Sequence, residues 1–395
     1  MGDTYGNSTV TIAADSAEDS SKGCFFPRNA LGIKPCMAKV FGRFCIIQRH
    51  ANDVEEIFGK SMTVGLPLHE RAWVLQEQIL ACRTIGFQKD QVHWRCSNLL
   101  GVEAHPQGLP GMPHQLQDYR SHLQGIINGT GLYPGLRKTE AYGFWYRSVM
   151  DFTTRKLTIP SDKLVAISGI ASKMAVSVKD DYIAGLWRSD IHIGLLWVAG
   201  GTIGFPMELP ARRTETYRAP SWSWASIEGF ISYTHVIPSL DVPKEVLKQP
   251  LLDIIDYDIN QSAVRSLSSQ ETFAAIRAKG YLLRIRTCGE RLVKAKGELV
   301  GSEPEYGQQG GQSNSATFFR GLGFFYPDES CDRHSIEGLC APVASVEQSN
   351  WCLILKAEEG ERHTYSRIGL GQLDVEGMTE FEGLEGPSAT EFTIV

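Results

Sequence analysis

The sequence lacks the patterns by which nucleotide-handling and hydrolytic enzymes are most readily read. It has no GxxxxGKS or GxxxxGKT loop, no GxGxxG after a strand and no GxSxG elbow. The first two need a glycine-rich turn whose backbone N–H groups cradle phosphates, so P-loop and dinucleotide-fold chemistries are excluded. Gly369-Leu370-Gly371 is too short for that task. Without the elbow a serine hydrolase is unsupported, and Ser168 reads as a helix packing residue. There is no CxxC pair; nine cysteines are scattered and odd in number, and no secretory leader precedes them, which points to a reducing, cytoplasmic setting. No apolar run spans a bilayer: Ile191–Met207 contains His192, Pro206 and four glycines, and it reads as a core helix running into a loop rather than a membrane span. Basic residues are not in excess. With 39 Lys and Arg against 45 Asp and Glu, net −6, the chain is not expected to bind nucleic acid.

What is present is an ordinary folded composition, with 42% hydrophobic and 21% charged residues over 395 positions, enough for two or three domains. Ser8 to Ala14 is short, β-branched and apolar, as a strand buried on both faces would be, and the acidic loop Asp15–Gly23 follows it. From Leu66 to Leu80 the apolar residues Ala72, Leu75 and Ile79 recur at helical spacing, widened by Trp73 and Leu80. Thr84–Phe87 and Val92–Cys96 alternate around a polar turn and predict a β-hairpin. Residues 101–136 read as a loop or linker. Two amphipathic helices follow, one around Tyr142–Phe152, one around Leu164–Val178 opened by a Ser161 or Asp162 cap, and a third is expected over Ile183–Ala199. Beyond about 211 the texture is strands: Trp222–Ser226, Leu251–Ile259, Tyr281–Thr287, Trp351–Lys356 and Glu391–Val395. Gly301–Ser315 interrupts them as a polar loop.

Few residues carry chemistry. Glu77 lies on an apolar helix stripe, where a carboxylate requires a partner such as Arg71 or Arg83, or else acquires a raised pKa useful in catalysis. Cys82, His93 and Cys96 have the atoms of a zinc site but not its spacing, since His93 and Cys96 fall on opposite faces of one strand; no metal is expected. Glu55-Glu56 read as a solvated helix face, His105 and His114 as loop surface, and Trp222 with Trp224 as core indoles sharing one strand face.

The run Arg71-Ala72-Trp73-Val74-Leu75-Gln76-Glu77 resembles the closing block of the fungal heterokaryon-incompatibility (HET) domain: Arg, a small residue, Trp, two variable positions, Gln-Glu. Tyr5-Gly6-Asn7, Val10–Ala14 and the loop to Arg28 are similar to the strand and loop upstream of that block. Asp162-Lys-Leu164, Ile167–Ile170, Tyr182–Trp187, Leu195–Trp197, Ala219–Ala225 and Arg367–Gly369 are similar to the region downstream of the domain. The domain's aromatic-Leu-Ser-Tyr-x-Trp-Gly and Trp-Ile-Asp-x-x-Cys-Ile-x-Gln blocks are absent, so the chain is expected to hold only the rear of the domain, truncated in front.

The resemblance implies fungal non-self recognition ending in programmed cell death, with a protein partner of an incompatibility system. It implies a Toll/interleukin-1-receptor-like α/β remnant in residues 1–100, followed by a helical region (137–210) and a β-rich region (211–395), overall α+β. Some relatives of that fold cleave NAD with a glutamate, which nominates Glu77, with Arg71, Trp73 and Gln76 as its motif. NAD would then be a substrate, and no cofactor is implied. With the front missing, this chain is not expected to turn over NAD by itself. The alternatives are an NAD glycohydrolase in its own right and a non-catalytic interaction module.

Overall fold

A computed structural model describes residues 2–28, 36–47, 66–96, 99–108, 119–128, 138–200, 211–237, 247–259, 274–288, 291–294, 323–329, 336–346, 349–373 and 389–395. Glu55, Glu56, His114 and Gly301–Ser315 lie outside them. The chain is α+β and divides into two compact units. The first comprises Met1–Asp190, Ile237–Lys244 and Gln261–Thr272; the second comprises Ile191–Val236, Glu245–Asn260 and Phe273–Val395.

The first unit opens with α1 (Gly2–Gly6) and β1 (Thr11–Ala13), then a hairpin of β2 (Cys36–Val40) and β3 (Arg43–Ile47). A 3-10 turn (Pro67–Glu70) leads into α2 (Ala72–Leu80), β4 (Arg83–Phe87), β5 (Val92–Cys96) and β6 (Leu100–Val102). Helices α3 (Tyr119–Ile127), α4 (Lys138–Thr153) and α5 (Lys163–Val178) come next, and β7 (Tyr182–Ile183) with β8 (Leu186–Trp187) ends the unit. One sheet runs β1-β4-β5-β6. Its β1–β4 pair is parallel, with α2 in the connection, and β4–β5 is the expected hairpin, pairing Arg83 with Cys96 through Phe87 with Val92.

Several local expectations are corrected. The first strand is not buried on both faces: Ile12 is 66% exposed, and among the described residues β1 is an edge strand. The 101–136 loop contains α3, in which Tyr119, Leu123, Ile126 and Ile127 recur at helical spacing, a short repeat hidden among the surrounding prolines and glycines. Leu123 is fully buried, Arg120 pairs with Asp151 of α4 at 2.6 Å, and the Gln124 amide donates to Ala81 O. No helix spans 183–199. Ala184 and Gly185 both take left-handed φ, +44° and +101°, closing the tight β7–β8 hairpin, and Trp145 stacks edge-on against Tyr182 and Trp187. Helices α4 and α5 stand where their periodicity put them. Asp162 occupies the α5 N-cap without a side-chain hydrogen bond, since a 3-10 turn, Pro160–Asp162, leads into it.

The second unit has a short helix α6 (Ile191–Gly194) and four two-residue strands, β9 (Val198–Ala199), β10 (Arg212–Arg213), β11 (Ile227–Glu228) and β12 (Ile231–Ser232). The larger sheet contains β13 (Leu247–Pro250), β14 (Asp253–Ile259), β15 (Ala274–Gly280), β16 (Leu283–Cys288), β17 (Arg291–Lys294), β18 (Gly323–Pro327), β19 (Glu337–Val346), β20 (Ser349–Ala357), β21 (Thr364–Leu373) and β22 (Thr390–Ile394). Six of these pair antiparallel in a closed ring, β16-β17-β18-β21-β20-β19 and back to β16. Closure leaves those six strands without a free edge, while among the described residues β13 and β14 remain the ends of the larger sheet. Leu283, Ile285, Phe325, Cys340, Cys352, Ile354 and Leu373 form one apolar cluster from these strands. Gly369 is there for space, since a Cβ would stand 2.4 Å from the Phe325 ring.

Trp222 and Trp224 are both fully buried, but not on one strand face. Trp224 begins a 3-10 turn capped by the Ser223 hydroxyl, which accepts from Ala225 N at 3.1 Å.

Candidate functional site

The Arg71–Glu77 block splits by role along α2. Arg71 is the exposed N-cap residue, held in extended backbone beside Lys156. Trp73 and Glu77, one turn apart, are half-buried. Ala72, Val74, Leu75, Ile79 and Leu80 are buried. Gln76 is buried as well, and its Oε1 accepts the Gly169 N–H of α5 at 2.8 Å. A Cβ at Gly169 would lie 2.4 Å from that oxygen, so the glycine makes the close approach possible. Gln76 therefore links two helices.

Glu77 receives a hydrogen bond from the Tyr5 hydroxyl of α1, with Arg71 nearby. Burial raises its pKa, while the Tyr5 hydrogen bond and the Arg71 charge pull the other way. The same neighbourhood pushes the Tyr5 phenol up to about 12, through burial first and Glu77 second. Arg83 is not a partner here; its guanidinium donates to Thr9 O at 3.4 Å. The result is a half-exposed carboxyl that holds a proton more readily than in water, beside one phenol donor and one cation. General acid–base chemistry uses such a group.

A second cluster, drawn from three separated segments of the first unit, was missed by sequence reasoning. Asp15, at the carboxyl end of β1, is 1% exposed; His69 of the 3-10 turn is 2% and His93 of β5 is 5%. His69 Nε2 lies 2.8 Å from Asp15 Oδ1, and His93 Nδ1 lies 3.4 Å from Asp15 Oδ2. Those last two atoms have no hydrogen-bond partner among the described residues. Burial is the main cause that pushes His93 down to about 4, against the pull of Asp15, so its imidazole is neutral. Gly86, cross-strand from His93, would place a Cβ 1.8 Å from His93 Cε1 and 2.3 Å from Asp15 Oδ2. That glycine inside a predicted strand was the one local hint of a close approach. At these exposures the cluster ties β1, the turn and β5 together instead of meeting solvent.

Among the described residues no three His, Cys, Asp or Glu side chains form a metal-holding group. The Cys82 thiol donates to Gly6 O at 3.6 Å, while His93 faces Asp15. Among the described residues no helix is long and apolar enough to cross a membrane.

In the second unit three sequence blocks meet on one residue. Arg367 is fully buried and its guanidinium lies 3.4 Å from the Trp197 ring centre. It donates to Leu195 O, to Trp197 O at 2.6 Å and to Asp328 at 3.0 Å; its own N–H donates to Ser221 Oγ at 2.8 Å. Trp197 Nε1 in turn donates to Trp222 O at 2.9 Å. Asp328 also receives Arg213 at 3.3 Å. The blocks Leu195–Trp197, Ala219–Ala225 and Arg367–Gly369 are thus one structural knot, with Asp328 as its unforeseen counter-ion.

Against protein-family profiles, curated proteins and solved structures, the chain matches none.

Proposed function

We propose that the chain is a heterokaryon-incompatibility-type protein, an effector of fungal non-self recognition and cell death that works with a protein partner. The observation that carries this reading is the order of the blocks together with the bond between two of them: Gln76 of the Arg71–Glu77 block accepts a hydrogen bond from Gly169 of the Ile167–Ile170 block. The parallel β1–β4 pair with α2 in its crossover is the α/β element that a Toll/interleukin-1-receptor-like remnant calls for. Induced expression in a filamentous fungus is expected to arrest growth, and Gln76→Ala is expected to relieve the arrest. Unimpeded growth, with the protein accumulating intact, would sink the proposal.

A second reading, NAD cleavage with Glu77 as the catalytic group, is favoured by one observation, its half-buried carboxyl with raised pKa beside Tyr5. Purified protein incubated with NAD is then expected to release nicotinamide, and Glu77→Gln to abolish release. Absence of release, or release indifferent to Glu77→Gln, removes this reading and leaves the first standing.

A further inference from the structure

The even charge balance of the whole chain conceals a segregated stretch. Between Asp19 and Asp53 the sequence carries Lys22, Arg28, Lys34, Lys39, Arg43 and Arg49, and not one acidic residue. Lys39 and Arg43 stand on the β2–β3 hairpin, whose strands pair only with each other among the described residues. On this hairpin Met37 and Phe44 are each 75% exposed, Val40 is partly exposed and Phe41 is wholly so.

Phe41 is costly to the fold. It forms a two-residue turn with Gly42, at φ +48° and +80°, between the paired Val40 and Arg43. Such turns favour Asn or Asp before Gly, and a bulky side chain in the left-handed region is strained. The ring is also left in water, so no packing offsets the strain. An outlier that folding does not account for points to function.

The layout has the layering of a bilayer surface. The aromatic ring is at the tip, and at about 3.3 Å per residue both cations stand within roughly 7 Å behind it. Opposite residues share a face, so Met37, Lys39 and Phe44 lie on one side and Ala38, Val40 and Arg43 on the other. The Lys39 ammonium sits 5.9 Å from the Phe44 ring centre. Residues 36–47 contain no Asn, Gln, Ser, Thr or His, so apart from the two cations the hairpin has no side chain that reads base edges. We propose that this hairpin docks the protein on an anionic phospholipid surface, with Phe41 entering the acyl boundary while Lys39 and Arg43 meet the headgroups.

Cosedimentation of the full chain with vesicles tests this. Binding is expected to vesicles of phosphatidylcholine mixed with phosphatidylserine and not to phosphatidylcholine alone, and to weaken as salt is raised. Phe41→Asn is expected to weaken binding about tenfold while keeping or raising the thermal midpoint, because Asn suits the turn. Lys39→Ala and Arg43→Ala are each expected to weaken it roughly fivefold. The proposal is overturned if neither vesicle binds, if the variants bind like the parent, or if single-stranded RNA is preferred to anionic vesicles. Self-association on gel filtration that Phe41→Asn abolishes would overturn it too, by assigning the hairpin to a second copy.

Discussion

A methyl group at residue 86 has nowhere to go, because His93 Cε1 and Asp15 Oδ2 already occupy its place. Gly86→Ala is expected to cost about 2–3 kcal/mol in urea denaturation. Gly6→Ala, where nothing lies within 4 Å of the added carbon, is the near-neutral control. The Arg367 knot is likewise decided by single groups. Removing the guanidinium leaves Asp328 buried with only Arg213 beside it, so Arg367→Ala should lose about 3–5 kcal/mol. Arg367→Lys should not rescue it, since an ammonium cannot reach two carbonyls and a carboxylate in one plane. Thermal or urea midpoints of the two variants decide the point. Arg367, Trp197 and Trp222 stood out in the sequence as separate blocks. Asp328 did not, nor did the pairing of Asp15 with His69, 54 residues apart, because nothing local to either member marks the other.

Among the elements, those governed by their own period were legible. Helix α5 and the β4–β5 hairpin bury one face each, while α4 is buried all round over Ala141–Tyr146, and in each the repeat of apolar residues is written within a dozen residues. Helix α3 was missed because its nine-residue repeat sits among prolines and glycines, although Asp151 also holds it; the β7–β8 hairpin was not legible because the distant Trp145 packs against it. Helix α2 shows both sides of this. Its apolar stripe was read, but Val74 and Gln76 are buried as well, since α5 covers a second face. Gly169→Ala would ordinarily favour a helix by up to about 1 kcal/mol. Here it displaces the Gln76 amide and is expected to lose roughly 1 kcal/mol instead. Adding Gln76→Ala should recover part of that loss, so a double-mutant cycle with a coupling near zero would refute the cross-helix bond.

At the scale of the whole molecule, buried histidine sets an acid limit. His93 is pushed down to about 4 in the fold, and it titrates at 6.5 when unfolded. Between these values the unfolded chain binds the extra proton. Stability present above pH 6.5 is therefore lost as pH falls toward 4, by an amount on the order of 3 kcal/mol. His235, also pushed down to about 4 by burial, adds in the same direction. Asp190 opposes them. Its carboxyl, bonded by the Tyr146 hydroxyl, is pushed up to about 7 by burial, so its contribution is present below 3.8 and lost as pH rises through 7. Urea midpoints at pH 7 and pH 4.5 should show His93→Asn flattening the acid loss and Asp190→Asn steepening it.

The sequence by itself determined the α+β character, the two long helices, the hairpin, strands β14, β16, β20 and β22 of the larger sheet and the residues of the Arg71–Glu77 block, because periodicity and turn chemistry act between near neighbours. Only the tertiary structure decided that six strands close into a ring, that Ile12 faces water, that Gln76 bonds Gly169, and that Asp15, His69 and His93 share one buried space. Burial and charge pairing are properties of which distant segments meet, and no local pattern contains that information.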